Sequence, residues 1–170
     1  MGQKAITIYT PTSANAHIYA EDDAQIHRAL FGSASGITLA DNKLACSITS
    51  DNAVTLASGV FSNQGYMVAV VGGTTVELAV ISGTAGAYRH DLLVAEFNRG
   101  GGDTADTHEF KIIKGTDAGT EAAAEDPTLT QNDLISGGNK RQEPLYRLYI
   151  NGTTLAAVER IANYIGPVYQ

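Results

Sequence analysis

The run Arg89-His90-Asp91-Leu92-Leu93-Val94-Ala95-Glu96-Phe97-Asn98 decides how this chain is read. Its centre, Leu92 to Ala95, is apolar at every position, so an extended segment here has both faces covered. That pattern belongs to a strand in the middle of a sheet. Working outward, a period of two dominates everything after Gly36. Leu44, Cys46 and Ile48 alternate with Ala45, Ser47 and Thr49, as in a half-buried strand. Short strands are expected over 54–57 and 60–61. Residues 66–71 and 75–81 flank Gly72-Gly73, a pair that permits the positive φ angles of a tight hairpin.

On the far side of the central run, Gly100-Gly101-Gly102 with Asp103 reads as a flexible turn into a strand over 109–114. Residues 115–131, carrying Gly115, Gly119 and Pro127, read as a loop. A strand over 145–150, then Asn151-Gly152, then a strand over 154–161 give the strongest hairpin signal in the chain. A helix over 155–163 is the alternative, because Leu155, Val158 and Ile161 recur at spacing three. At the other end, residues 5–9 are β-like, and Pro11, Ser13 and Asn15 mark a loop. One helix is expected over 19–31: Glu21, Asp22 and Asp23 crowd its first turn, His27 and Arg28 its last, and Gly32 stops it. Ile26 and Leu30 are expected to form its apolar face, opposite the acids.

The expected fold is mainly β: an antiparallel β-sandwich, or a barrel-like relative, of about 8–10 short strands with one short N-terminal helix. It reads as one domain, with an arm and helix over 1–36, the sandwich over 37–161 and a tail over 162–170. In 170 residues, 11 Lys+Arg stand against 18 Asp+Glu, a net charge of −7. Nucleic acid and anionic membrane surfaces both draw affinity from Lys and Arg, so neither is an expected partner. The longest apolar run, residues 66–71, is far short of the ~20 residues that span a bilayer, and residues 1–11 lack the apolar core of a signal peptide. The single cysteine, Cys46, has no partner for a disulfide and is expected to be a small buried hydrophobe.

Catalytic and metal-binding patterns are not found. Gly32-Ser33-Ala34-Ser35-Gly36 has the outline of a nucleophile elbow but carries Ala at the centre. His17, His27, His90 and His108 have no metal-ligand spacing. Gly100-Gly101-Gly102 lacks the Lys and helix of a phosphate loop. Glu121, Glu125 and Asp126 read as a solvated charged loop, and Asn151-Gly152-Thr153 as a turn. No enzyme, cofactor or metal is expected.

The order of certain residues resembles a family. Ile18-Tyr19-Ala20-Glu21-Asp22 opens a short helix ending Phe31-Gly32, followed by Ser35-Gly36-Ile37. Then come Tyr88-Arg89-His90-Asp91-Leu92-Leu93-Val94, the loop Lys114-Gly115-Thr116 with Pro127, and Pro144-Leu145-Tyr146-Arg147-Leu148-Tyr149-Ile150. Over residues 18–161 this is similar to tail and baseplate structural proteins of phages and prophages of Gram-positive bacteria. The resemblance implies a non-enzymatic virion component: a β-sandwich in the tail or baseplate, commonly a homotrimer, that anchors or bridges host-recognition parts. Its partners would be copies of itself, other tail or baseplate proteins, and a host cell-wall saccharide. Arg89 and Asp91, on one face of a central strand, would be a structural ion pair or a backbone-bonding set, with Arg89 or Arg147 as the partner of Asp91, since a partly buried Asp is costly unpaired. Tyr146, Tyr149, Tyr164 and Tyr169 would be interface anchors, and residues 164–170 an arm onto a neighbour. The alternative is a carbohydrate-binding β-sandwich, with Tyr as the aromatic platform because Trp is absent.

Overall fold

The computed structural model describes residues 19–168, so the segment expected as extended over 5–9, His17 and Tyr169 lie outside the described residues. Among these residues one α-helix, α1 (Ala20–Phe31), precedes nine strands. These are β1 (Gly36–Thr38), β2 (Cys46–Ser50), β3 (Ala53–Asn63), β4 (Tyr66–Ala79), β5 (Tyr88–Asn98), β6 (Thr107–Ile113), β7 (Lys140–Asn151), β8 (Thr154–Arg160) and β9 (Tyr164–Ile165). They form two curled sheets packed as a sandwich.

In the first sheet β3 is the spine. β4 pairs along one side of it, β2 and then β1 along the other, and β9 joins β1 in parallel. The second sheet runs β6-β5-β7-β8, wholly antiparallel. The apolar centre of β5 is therefore mid-sheet, and Leu92, Leu93, Val94 and Ala95 are all buried. Ile37, Val54, Leu56, Phe61 and Val70 from the first sheet meet Leu93, Leu145, Leu148, Ile150 and Leu155 from the second. The hairpin after Asn151 is present, with Asn151 opposite Thr154, and residues 154–160 form a strand rather than a helix.

Four local expectations are corrected. Residues 54–57 and 60–61 belong to one strand, β3. Gly72-Gly73 makes no hairpin. Both halves of β4 pair with β3, and Val71 to Thr74 bulge out opposite the single residue Ser58. The turn lies earlier, at Gln64-Gly65, whose φ angles of 52° and 94° fit the type I′ geometry that matches strand twist. Helix α1 does not bury Ile26 and Leu30, which are 39% and 46% exposed; it rests on Ala24. Gly65 passes directly beneath, where a Cβ would stand 2.3 Å from the Ala24 carbonyl oxygen, so it is position 65 that admits only glycine. Finally, residues 164–168 fold back on their own chain. Tyr164 pairs with Ile37, and Val168 N donates to the Leu30 carbonyl at 2.8 Å, so this stretch is no free arm.

Under α1 a second small core gathers Ala24, Tyr66, Phe97 and Leu134. Arg99 rivets it, donating to Glu21 at 2.5 Å, to the Tyr66 hydroxyl at 3.0 Å and to the Gly138 carbonyl at 3.2 Å. His108 packs edge-on to Phe97, and both its ring nitrogens are buried. Burial disfavours its charged form and pulls its pKa from 6.5 down to about 4. The unfolded chain thus binds the extra proton between those limits, so stability is intact above pH ~6.5 and declines as pH falls toward 4. Between pH 7 and pH 5 this amounts to about 2 kcal/mol. Urea midpoints at the two pH values should differ accordingly, and the difference should largely vanish in His108→Leu.

Candidate functional site

Two polar clusters sit on opposite faces of the second sheet, and β5 feeds both. Residues 89 and 91 share the face that points into the sandwich. Arg89 Nε donates to Asp91 Oδ1 at 2.7 Å and Nη2 to Oδ2 at 3.0 Å, the two-pronged geometry that a guanidinium and a carboxylate favour. The side chains are 1% and 0% exposed. The remaining valences are filled from outside the strand. Arg89 Nη2 also donates to the Ile81 carbonyl at 2.5 Å, Nη1 faces Asp117 at 3.4 Å, and Gly115 N donates to Asp91 Oδ1 at 2.8 Å. Burial alone would lower the Arg89 pKa, but the bonds and charge of Asp91 outweigh it and hold the guanidinium above its ordinary value.

Arg147 does not take part. It lies opposite Leu92, on the outward face, and meets Asp126 instead. Arg147 Nε and Nη2 donate to the two Asp126 oxygens at 2.7 and 2.6 Å, and Nη1 donates to Glu159 at 2.9 Å. Tyr149 donates its hydroxyl to Glu159 at 2.5 Å, and His90 Nδ1 lies 3.2 Å from Asp126. The His90 and Tyr149 rings meet edge to face, their centroids 4.8 Å apart. Hydrogen bonds from Arg147 hold the Asp126 carboxyl below its usual range, and those from Tyr149 and Arg147 do the same for Glu159.

This cluster fastens a strap. The connection from β6 to β7 pairs with the start of β5 at Ala118 and with the start of β7 at Gln131, so between those points it crosses the outer face. Asp126 is its midpoint anchor, and Leu92 and Val94 on the outward face of β5 are buried. Further along, buried Glu96 accepts hydrogen bonds from Asn98, Gln142 and Lys111 at 3.0, 2.5 and 3.1 Å. Burial pushes its pKa up, but these bonds outweigh that effect and hold the carboxyl at about 2.

The expected interface tyrosines divide. Tyr146 is buried and donates its hydroxyl to the Leu44 carbonyl at 3.0 Å, so it is a core residue and no surface anchor. Tyr149 belongs to the strap clasp. Tyr164 is 45% exposed, with the Arg160 guanidinium 3.9 Å above its ring. The acidic loop is not merely solvated, since Asp126 is held on two sides. Its partnership with His90 and Arg147 has no local sequence signal. Only the pairing register of β5 with β7, set between distant segments, places His90 beside Tyr149 and Leu92 beside Arg147. Cys46 is half-buried against the core, and burial pushes its thiol up to about 11.

Chemically these clusters fasten segments. Among the described residues no group of three or more His, Cys, Asp or Glu is placed to hold a metal ion, and no helix is long and apolar enough to cross a membrane. The hollow beside His90 and Tyr149, also lined by Tyr88, Glu121 and Asn151, holds ≈ 60 Å³, below the ~300–1,000 Å³ of ordinary ligand pockets. Comparison with family models, curated proteins and solved structures finds no match to this chain.

Breaking each cluster should give a different signature. Arg89→Met leaves Asp91 charged, buried and alone, and should cost about 3–5 kcal/mol in urea unfolding, whereas Arg89→Met with Asp91→Leu should cost much less. Arg147→Ala should cost only about 1 kcal/mol but speed amide exchange locally over residues 120–129.

Proposed function

We propose that this protein is a non-enzymatic structural component of a phage or prophage tail or baseplate, which assembles with copies of itself and anchors or bridges host-recognition parts. The observation that carries the reading is where the residues of the resemblance fall. The Arg89/Asp91 strand, the Gly115 loop and the strand from Pro144 to Ile150 lie far apart in sequence, yet one connection is fastened to both strands. Gly115 bonds Asp91, and Asp126 of the same connection bonds Arg147. Residues spent in this way support a scaffold that must stay rigid, not a reaction centre.

Surface composition supports assembly. Leu30, Leu39, Tyr164 and Val168 are 46%, 55%, 45% and 54% exposed. They are close neighbours: Val168 bonds the Leu30 carbonyl, and the Gly166 position lies 3.7 Å from Leu39 Cδ1. Exposed apolar residues gathered in one place mark association sites. For the alternative, a module that binds cell-wall saccharide, the one hollow beside exposed sheet aromatics, at His90 and Tyr149, is small.

Light scattering on the purified chain at tens of micromolar should report a closed oligomer, with a trimer expected, and Leu39→Glu with Val168→Glu should shift it toward monomer. A wild-type chain that is strictly monomeric under these conditions would count against the proposal.

A further inference from the structure

Two pairs of charged side chains take no part in holding the fold together, and their signs are opposite. Elsewhere the cations are tied to carboxylates, as Arg89, Arg99, Arg141 and Arg147 are. Lys43 and Arg160 are exposed, and among the described residues neither makes an ion pair. Both instead lie over the Tyr164 ring, with Arg160 Cζ 3.9 Å and Lys43 Nζ 5.8 Å from its centroid. Tyr164 belongs to β9, the outermost strand of the first sheet, in the same exposed patch as Leu39 and Val168. That sheet edge therefore presents an apolar surface carrying two positive charges with no counter-charge.

The negative pair lies on the strap. Glu121-Ala122-Ala123-Ala124-Glu125 makes a single 3-10 turn over Glu121–Ala123 and leaves it extended at Ala124. Both carboxylates are exposed, and among the described residues neither has an ion pair or a side-chain hydrogen bond. Ala122 and Ala123 between them are exposed as well. The rises of a 3-10 turn and an extended step place the two Glu backbones roughly 9 Å apart. The next residue, Asp126, is clamped by Arg147 at 2.7 and 2.6 Å. The segment is thus held in place beforehand, and little ordering cost remains for a partner to offset.

A net charge of −7 makes copies of this chain repel one another at a distance. Association therefore needs a place where opposite charges meet. Along the strap the order is acid, alanines, acid; at the sheet edge two cations gather over one ring. We propose that the Tyr164 edge of one copy docks the Glu121–Glu125 segment of the next, with Lys43 and Arg160 paired to those two carboxylates. The contact presupposes the self-assembly proposed above and names its two sides. Because the two surfaces differ, copies join head to tail and close as a ring rather than as a two-fold dimer.

Charge exchange tests this contact, read by sedimentation velocity on the full chain. Lys43→Glu with Arg160→Glu should raise the dissociation constant of the assembly at least tenfold, and Glu121→Lys with Glu125→Lys should do the same. All four substitutions in one chain restore opposite charges at every contact, so association should return to within about threefold of wild type. Urea midpoints close to wild type verify that each variant folds, as expected for exposed positions. Amide exchange at residues 121–125 of the wild-type chain needs no variant, and should slow severalfold as the concentration is raised and the chain assembles. A wild-type assembly that either pair of substitutions leaves intact, that the combined variant does not regain, or that leaves exchange at 121–125 unchanged overturns this contact while the assembly reading stands. A strictly monomeric wild-type chain overturns both.

Discussion

The Arg89–Asp91 pair sets the terms for the rest of the molecule. Two charges taken out of water at 1% and 0% exposure are tolerable only if nearly every donor and acceptor is matched. The two side chains cannot match themselves completely, so the backbone is recruited: Ile81 from the connection before β5 and Gly115 from the connection after β6. Two loops from opposite sides of the sheet are thereby drawn to one point. At Gly115 the approach is so close that a Cβ would stand 2.0 Å from the His90 carbonyl oxygen. The pair contributes specificity of arrangement more than net stability, because an apolar pair of the same volume would avoid the desolvation cost.

From that fixed point the strap follows. It leaves Gly115, crosses the outer face and reaches β7, with Asp126 clamped by Arg147 midway. Inner and outer clusters work under different conditions. The inner one is dry and nearly all-or-none. The outer one is a third exposed, so each of its bonds contributes less and is sensitive to salt. One strand thus carries a rigid lock on its inward residues and a softer clasp on its outward ones.

Much of the fold was legible because local signals and global needs agree. The apolar centre of β5 could only be a central strand, and Asn151-Gly152 could only reverse the chain. Where the reading failed, one signal had two physical outcomes. Gly72-Gly73 offers backbone freedom, and freedom serves a bulge as well as a turn. β3 is long enough to pair with both halves of β4, so the bulge won. The actual turn at Gln64-Gly65 was hidden because Gln is no usual turn residue. In α1 the large residues Ile26 and Leu30 outweighed Ala24 on paper, but the helix packs close over Gly65 through Ala24 and leaves the other two exposed. At the candidate site, the resemblance pointed to Arg89 and Asp91, whose two-residue spacing puts them on one face of β5. Asp126 and Glu159 were not, because strap and clasp exist only once three distant segments meet.

The parallel pair of β1 and β9 carries a consequence for how the molecule is made. It joins Ile37 to Tyr164, so the edge of the first sheet waits for the last strand of the described chain. The second sheet has no such dependence: β5, β6, β7 and β8 follow one another and pair through the strap and the Asn151 hairpin. Long-range pairings close slowly because the loop entropy is met before the contact forms. During synthesis the second sheet can therefore mature while the outer edge of β1 is still bare. That edge of the first sheet is covered only when β9 arrives.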